Sequence, residues 1–528
     1  MEQINSLPRV AAWFDSSSKR PCLRTTRTTI IHSIKSHLAL EHPAFIWLKG
    51  SPGTGKSTIA KTITAHLEEG RRLASAIYFD KTVGHNNAFS ALHFISSIAY
   101  QIALFSPDFR QVLGRRLDED GGIRRHADWT KHIEQLLDGP LSGLSPSLTT
   151  SWVVVIDALD ECGSRADLRE LMTILSRFAS LPLAILVTSR PEAEVEREME
   201  GSKLSPRAVV ENLDAPMTRA STESDICKYF NVGFQNLGSG DDEPPALAQI
   251  EKCATRCGGS FEVAAIQLRW LQENCDSGLL LSELLTTLLS ETYPAASDPE
   301  SSLYSEYIRI LERAYPRANI RALGRYRLVI GTLVLLRQPL GVHPLAKLLG
   351  IGDGEVRAIL KPLSSVIAVP RSDFDPISLY HASLQEFLLP SPTPHNLAPH
   401  LEYHIPVKDQ ETHLASRCLD TMNAELIRNI CRFPDLFVPN KCLVGLSKKL
   451  ETYAPHHLRY AVLHWAAHLT TSGHSAQLQS LLHRWCEEKI IFYLELMSLL
   501  DRCNAVLSLL DDAIKWAQVY LPLSRLMC

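Results

Sequence analysis

Eight residues constrain this chain more than any others: Gly50, Ser51, Pro52, Gly53, Thr54, Gly55, Lys56 and Ser57, which satisfy the pattern GxxxxGK[ST]. The apolar run Phe45 to Leu48 precedes them, and Ile59, Ile63 and Leu67 follow at four-residue spacing up to Gly70. A strand, a glycine-rich turn and an amphipathic helix are therefore expected in that order. Backbone N–H groups can encircle phosphate oxygens only where side chains do not intrude, and a helix N-terminus adds partial positive charge. Lys56 is then expected to hold β and γ phosphates. Ser57, followed by Thr58, would place its hydroxyl on Mg2+, whose octahedral shell is otherwise filled by phosphate oxygens and water. The implied ligand is ATP or ADP with Mg2+.

Two further strand ends support that reading. Val153 to Ile156 is an apolar run ending in Asp157, followed by Ala158, Leu159, Asp160 and Glu161. A carboxylate at the ligand edge of a buried strand can reach the metal through water, and Asp160 or Glu161 can orient or deprotonate an attacking water. Spacing does not separate those two as base. An acidic helix start favoured by the helix dipole is the plainer alternative. Leu186, Val187, Thr188 and Ser189 lead to Arg190 and Pro191. A guanidinium there could read the γ-phosphate through its rigid fork, or simply sit in solvent.

The rest of the chain divides by periodicity. Residues 21–210 alternate strand and helix, with β-type runs at Phe45 to Leu48, Ala74 to Phe79, Trp152 to Ile156 and Leu183 to Val187, and an amphipathic run from Ala91 to Leu104. Strands separated by helices imply a parallel, doubly wound α/β sheet. After Glu211 the strand signal fades. Asp225 to Phe230, Ala246 to Leu271 and Leu279 to Leu289 read as helix, giving a small helical domain over 211–295, with Gly238 to Pro245 a loop within it and Ala295 to Ser302 a link. Residues 303–395 hold short helices and then two β-type runs, Val366 to Val369 and Ser378 to Tyr380, around a turn-rich segment, as a winged helix would. A proline-rich stretch, Pro390 to Pro399, leads to a helical region over 396–528, and residues 1–20 are an N-terminal extension.

Composition excludes other classes. The chain has 528 residues, 45% of them apolar and 21% charged, which suits several buried cores and not wholesale disorder. Its net charge of −4 offers no global field for nucleic acid or anionic membrane. The candidate recognition segment Asp353 to Leu363 carries Glu355 and two basic residues, so a protein-facing role is expected and nucleic acid is not. No apolar stretch approaches the roughly 20 residues of a membrane span, and the first residues lack a secretory leader, so a cytoplasmic location is expected. The twelve cysteines show no CxxC pairing and read as reduced structural thiols. His464 and His468, four apart beside Trp465, and likewise His400 and His404, read as solvated or interface faces and not as metal ligands. The basic run Lys19, Arg20, Arg24, Arg27 and Lys35 reads as solvated surface. No repeat of about 20 to 50 residues is evident.

Taken together, FIWLKGSPGTGKSTIAKTI, VVVIDALDECG and LAILVTSRPE resemble the NACHT class of STAND-type signal-transduction P-loop NTPases, specifically its fungal NLR-like members. RPCLRTTRTTIIHSI resembles the family's lead-in, CGGSFEVAA its helical-domain motif, and VLLRQPLGVHPLAKLLG with LYHASLQEFLL its winged-helix half. CLDTMNAELIRNIC and YAVLHWAAHL resemble the helical segments beyond, so the likeness covers about residues 20–470. It implies a P-loop NTPase parallel sheet followed by a helical domain, a winged-helix domain and a C-terminal helical region. It also implies that His381 contacts the β-phosphate of ADP and holds the domains closed; Leu384 stands where the family usually has Phe. Family members commonly carry an N-terminal signalling domain and a C-terminal repeat array. Here about twenty residues precede the lead-in and no repeats follow. The implied function is a nucleotide switch with slow ATPase activity that self-associates on activation and meets signalling partners, in a setting of fungal non-self recognition or programmed cell death. A constitutive P-loop ATPase or kinase, and a nucleotide-locked scaffold without hydrolysis, are the other readings.

Overall fold

The computed structural model describes residues 2–14, 20–40, 45–80, 89–119, 129–144, 152–178, 181–201, 208–237, 244–290, 298–317, 319–389, 402–435 and 438–520. The chain forms two compact units, Met1–Glu306 and Tyr307–Cys528.

The first unit is built on five parallel strands: β1 (Phe45–Lys49), β2 (Leu73–Tyr78), β3 (Val153–Asp157), β4 (Ala184–Ser189) and β5 (Ala208–Asn212), in the spatial order β2-β3-β4-β1-β5. Each strand alternates its apolar residues between two cores. Phe45, Trp47, Val154, Ile156, Ile185 and Val187 pack on one face with Phe94, Ile98 and Phe178. Ile46, Leu48, Val153, Val155 and Leu186 pack on the other with Ile34, Ile59, Ile63 and Leu67. Burial on both faces is why these strands read as continuous apolar runs in the sequence. Pairing sets Lys49 beside both Ser189 and Asn212, and Asp157 beside Tyr78, so the ends of all five strands meet on one edge. That edge is where a parallel sheet binds ligands.

Strand β5 went unrecognised in the sequence because it is the polar edge of the sheet, with no residue of Ala208–Asn212 fully buried. The helical part of this unit comprises Pro216–Leu237, Leu247–Arg256, Phe261–Asp276 and Leu281–Ser290. The single helix expected from Ala246 to Leu271 is two, broken where Gly258 and Gly259 take left-handed φ values of 56° and 88°. Helix Pro299–Ala314 starts inside the expected link. Most of the loop 238–245, and the whole of Pro390 to Pro399, lie outside the described residues.

The second unit is helical apart from one short antiparallel pair, β6 (Ile367–Ala368) with β7 (Ser378–Leu379), which follows helices Ile320–Leu335, Val342–Leu349 and Asp353–Leu360. His464 and His468 do not face solvent here: their helix, His456–Thr471, packs against Val407–Glu425, and both side chains lie in the core. Glu411 accepts from Arg337 Nη2 at 2.7 Å and from His468 Nδ1 at 2.5 Å. Tyr460 accepts the Arg337 backbone N–H at 3.0 Å and donates to His468 Nε2 at 2.7 Å. Burial pushes His464 down to about 3 and lowers His468 as well, so both rings are neutral. His404 packs edge-on to Phe387 at 6.0 Å, while His400 lies outside the described residues. Among the described residues no group of three or more His, Cys, Asp or Glu side chains could hold a metal, and no helix is long and apolar enough to cross a membrane.

Removing one member of a buried charge network strands the others. Glu411→Ala should therefore destabilise the second unit by about 3–5 kcal/mol, because Arg337 is left buried without its carboxylate. Urea unfolding should show this loss, while Lys515→Ala, whose partners Asp511 and Asp512 are exposed, should leave the midpoint unchanged.

Candidate functional site

The loop between β1 and helix Lys56–Glu69 is shaped by glycines at three points. Gly50 sits against the exit of β5, where an added Cβ would stand 2.8 Å from Leu213 Cβ. Gly53 and Gly55 take left-handed φ values of 75° and 93°, which side chains disfavour. Inside the loop, Thr54 Oγ1 donates to Ser51 O at 2.7 Å, and Lys56 Nζ donates to Gly50 O at 2.6 Å and Ser51 O at 2.9 Å. Pro52 is buried, and Ser57 and Thr58 are half-buried in the first turn of the helix.

The carboxylates expected to work with this loop converge on it. Asp157 is fully buried at the end of β3, its Oδ1 accepting from Thr188 Oγ1 of β4 at 2.6 Å. The same hydroxyl accepts the Ala158 N–H at 2.9 Å, and Ala158 has φ 58°, a strained turn that swings Asp160 and Glu161 toward the exit of β4. There Arg190 is waiting. Its backbone N–H donates to Asp160 Oδ1 at 3.1 Å, its Nε lies 3.3 Å from Asp160 Oδ2, and its Nη2 lies 3.8 Å from Glu161 Oε1. Arg190 is 9% exposed, so neither solvated surface nor a simple strand-end cation describes it. Burial pulls Lys56 down to about 8 against the support of Asp160, Asp214 and Asp157, with Arg190 adding to the depression. One cation thus feels both acid-bearing strand ends. The loop and Asp157 belong to a single site.

Mg2+ suits this donor set. Ser57 Oγ lies in the first turn of the helix beside the loop, and Asp157 is a buried carboxylate whose Oδ1 accepts from an uncharged hydroxyl, the hard oxygen chemistry that a small divalent cation takes.

Several residues of the site escaped sequence reasoning. Asp214, just beyond β5, accepts the Ser51 backbone N–H at 2.8 Å and its hydroxyl at 3.0 Å, fastening the start of the loop. Phe261 and Glu262 donate their N–H groups to Gly53 O at 2.9 and 3.2 Å. Arg27 is 5% exposed and bonded to the loop, which overturns its reading as solvated surface; Arg20 and Arg24 are exposed as expected, and Lys19 lies outside the described residues. The CGGSFEVAA motif had pointed to Phe261 and Glu262 and the lead-in RPCLRTTRTTIIHSI to the stretch around Arg27, but neither showed a bond to the loop. In the second unit, His381 follows β7. Its Nδ1 faces the Ser383 N–H at 3.2 Å and Ser383 Oγ at 2.6 Å, and Ser383 Oγ also meets Tyr307 OH at 2.8 Å. An Nδ1 that accepts leaves the ring proton on Nε2.

An anion in the loop favours protonated Lys56, raising its pKa in the bound state. Binding above pH 8 then takes up a proton, and affinity falls as pH rises through 8 toward 9.5, by up to about tenfold per unit. Titration calorimetry with MgADP should show that fall, and Lys56→Arg, always charged, should flatten it.

Comparison with known proteins agrees with this geometry. Residues 25–190 match the family described as Nephrocystin 3, N-terminal. The vegetative incompatibility protein HET-E-1 of Podospora anserina is 22% identical over 491 residues, which is 86% of this chain and 33% of that protein. The chain thus spans about a third of the length of the curated relative it matches. Among solved structures, the signal transduction ATPase with numerous domains (STAND) from Pyrococcus horikoshii, which has a tetratricopeptide repeat sensor, is 14% identical at a TM-score of 0.38, covering 95% of this chain and 65% of that one. The Aeropyrum pernix ORC1 protein, solved in complex with DNA, is 16% identical at a TM-score of 0.32, covering 69% and 92%. With a glycine cradle, an acid-tipped neighbouring strand, a family match over residues 25–190 and a relative similar over 86% of this chain, the chain resembles NACHT-like P-loop NTPases.

Proposed function

We propose that this protein is a cytoplasmic nucleotide switch of the NLR-like kind, closed around ADP, opened by exchange for ATP and reset by slow hydrolysis. The observation that carries the proposal is the docking of helical residues 260–262 on the phosphate loop itself, through two N–H groups on Gly53 O. A hydrogen-bonded seam between the phosphate loop and a helical segment is a contact through which phosphate occupancy can bias a domain arrangement, as a switch requires.

The residues divide the work as follows. Backbone N–H groups of Gly55 to Thr58 would face the phosphates, and an ammonium carries three donors, so Lys56 can serve its two loop carbonyls and a phosphate oxygen together. Ser57 and Asp157 would hold Mg2+, Asp157 through water; the ion would neutralise phosphate charge. Asp160 and Glu161 orient the attacking water and accept its proton. Their engagement by Arg190 leaves the acids neutralised until the guanidinium turns to a γ-phosphate, which supports slow turnover. His381, with its ring proton on Nε2, has the donor that a β-phosphate oxygen requires.

Opening would permit self-association and contact with signalling partners, and the relative named for vegetative incompatibility suggests non-self recognition or programmed cell death as the setting. Nucleic acid is not proposed as a partner. Arg357, in the segment that would enter a groove, is committed to Asp373, and Glu355 to Arg325.

Purified chain should retain ADP and turn over ATP well below the roughly 1 per second that marks the slow end of kinases. Lys56→Ala should lose nucleotide, and His381→Ala should keep it while shifting toward larger assemblies on a sizing column. Fast turnover would favour a constitutive ATPase, tight binding without phosphate release would favour a locked scaffold, and unchanged loading and size in both variants would sink the switch.

A further inference from the structure

Arg27 joins the phosphate loop to two helices. Its Nη2 donates to Thr54 O at 2.7 Å and its Nη1 to Thr222 Oγ1, on helix Pro216–Leu237, at 2.6 Å. Its guanidinium carbon lies 5.0 Å from the centre of the Phe261 ring, at the start of helix Phe261–Asp276. Its own backbone N–H donates to Asp225 Oδ2 at 2.8 Å, and Asp225 is paired in turn with Lys228 Nζ at 2.8 Å. Arg27 also holds φ 55°, a left-handed conformation unfavourable for a non-glycine residue that persists only where its surroundings dictate it.

The consequence lies in peptide geometry. A trans peptide points its carbonyl and its N–H in opposite directions. No cis bond occurs among the described residues, so the carbonyl of Thr54 that Arg27 holds is back to back with the N–H of Gly55. Fixing the one aims the other into the loop, where a phosphate oxygen would receive it. Gly53 fastens the same side of the loop: its carbonyl takes the Phe261 and Glu262 N–H groups, while the Thr54 N–H on that peptide closes the loop's own turn by donating to Ser51 O at 3.4 Å. A Cβ at Gly53 would overlap Ser260 Oγ, so the interlock requires glycine at a place the phosphate-loop pattern leaves open.

We propose that Arg27 is the positioning residue that couples phosphate binding to the docking of the two helices: it presents the Gly55 N–H to phosphate and, through the same peptide, lets an occupied loop hold helices Pro216–Leu237 and Phe261–Asp276 in place. The coupling is reciprocal, because whatever docked helices contribute to nucleotide affinity, nucleotide contributes to docking. This deepens the switch reading and rests on the loop binding phosphate.

The test uses the full chain and ADP with Mg2+. In the wild type, ADP should slow backbone hydrogen exchange in residues 216–237 and 261–276. In Arg27→Ala, ADP should still bind, weakened roughly tenfold by loss of a charge-assisted hydrogen bond to the loop, and should no longer slow exchange in those helices. Thr222→Val, which removes one partner and keeps the charge, should reduce the ADP-dependent protection part of the way, and serves if Arg27→Ala fails to fold. ADP-dependent protection of full size in either variant overturns the coupling alone. A wild-type chain that binds no ADP overturns the phosphate-loop reading and this proposal with it.

Discussion

A peptide unit cannot aim its N–H and its carbonyl at the same place, and the loop from Gly50 to Ser57 is organised around that fact. The N–H groups at its Gly55 end are needed on the inside, so the carbonyls of Gly53 and Thr54 turn outward and must be satisfied there, while those of Gly50 and Ser51 turn inward. Lys56 takes those of Gly50 and Ser51, the helical segment takes that of Gly53, and Arg27 takes that of Thr54. An anion-binding loop thereby becomes a docking surface on its other side. What grips the phosphate and what holds the helical segment are two faces of the same few peptides.

Charge around the loop follows from burial. Lys56 is the only cation of the loop, and desolvation lowers its pKa to about 8 against the opposing pull of Asp160, Asp214 and Asp157. Asp160 and Glu161 are themselves met by Arg190 across the ends of β3 and β4. The site therefore balances internally before any ligand arrives. Under the proposed switch, a phosphate would compete with carboxylates for Lys56 and Arg190, and that competition would give the site different states to distinguish.

Legibility varied by element. Strands β1, β3 and β4 announced themselves because both faces are buried and their apolar runs are unbroken, whereas edge strand β5 carried no such signal. Asp157, Asp160, Glu161 and Arg190 could be found because each follows directly on a legible strand. Asp214 could not, since it lies beyond the strand that was missed. Arg27 was misread because its neighbours in sequence, Arg20 and Arg24, are solvated, and nothing local tells a buried guanidinium from an exposed one. His464 and His468 misled in the same way: four-residue spacing shows that they share a helix face but not that Glu411 and Tyr460 cover it.

The sequence by itself determined the phosphate loop, the α/β alternation and the acid at the end of β3, because those depend on residue type within a few positions along the chain. Only the tertiary structure decided which carbonyls the loop turns outward, what receives them and which cation faces which acid. Those pairings join Arg27 to Thr54 and Thr222, Ser51 to Asp214, and Gly53 to Phe261, residues far apart in the chain. A hydrogen bond is set by distance in space, which local periodicity does not encode.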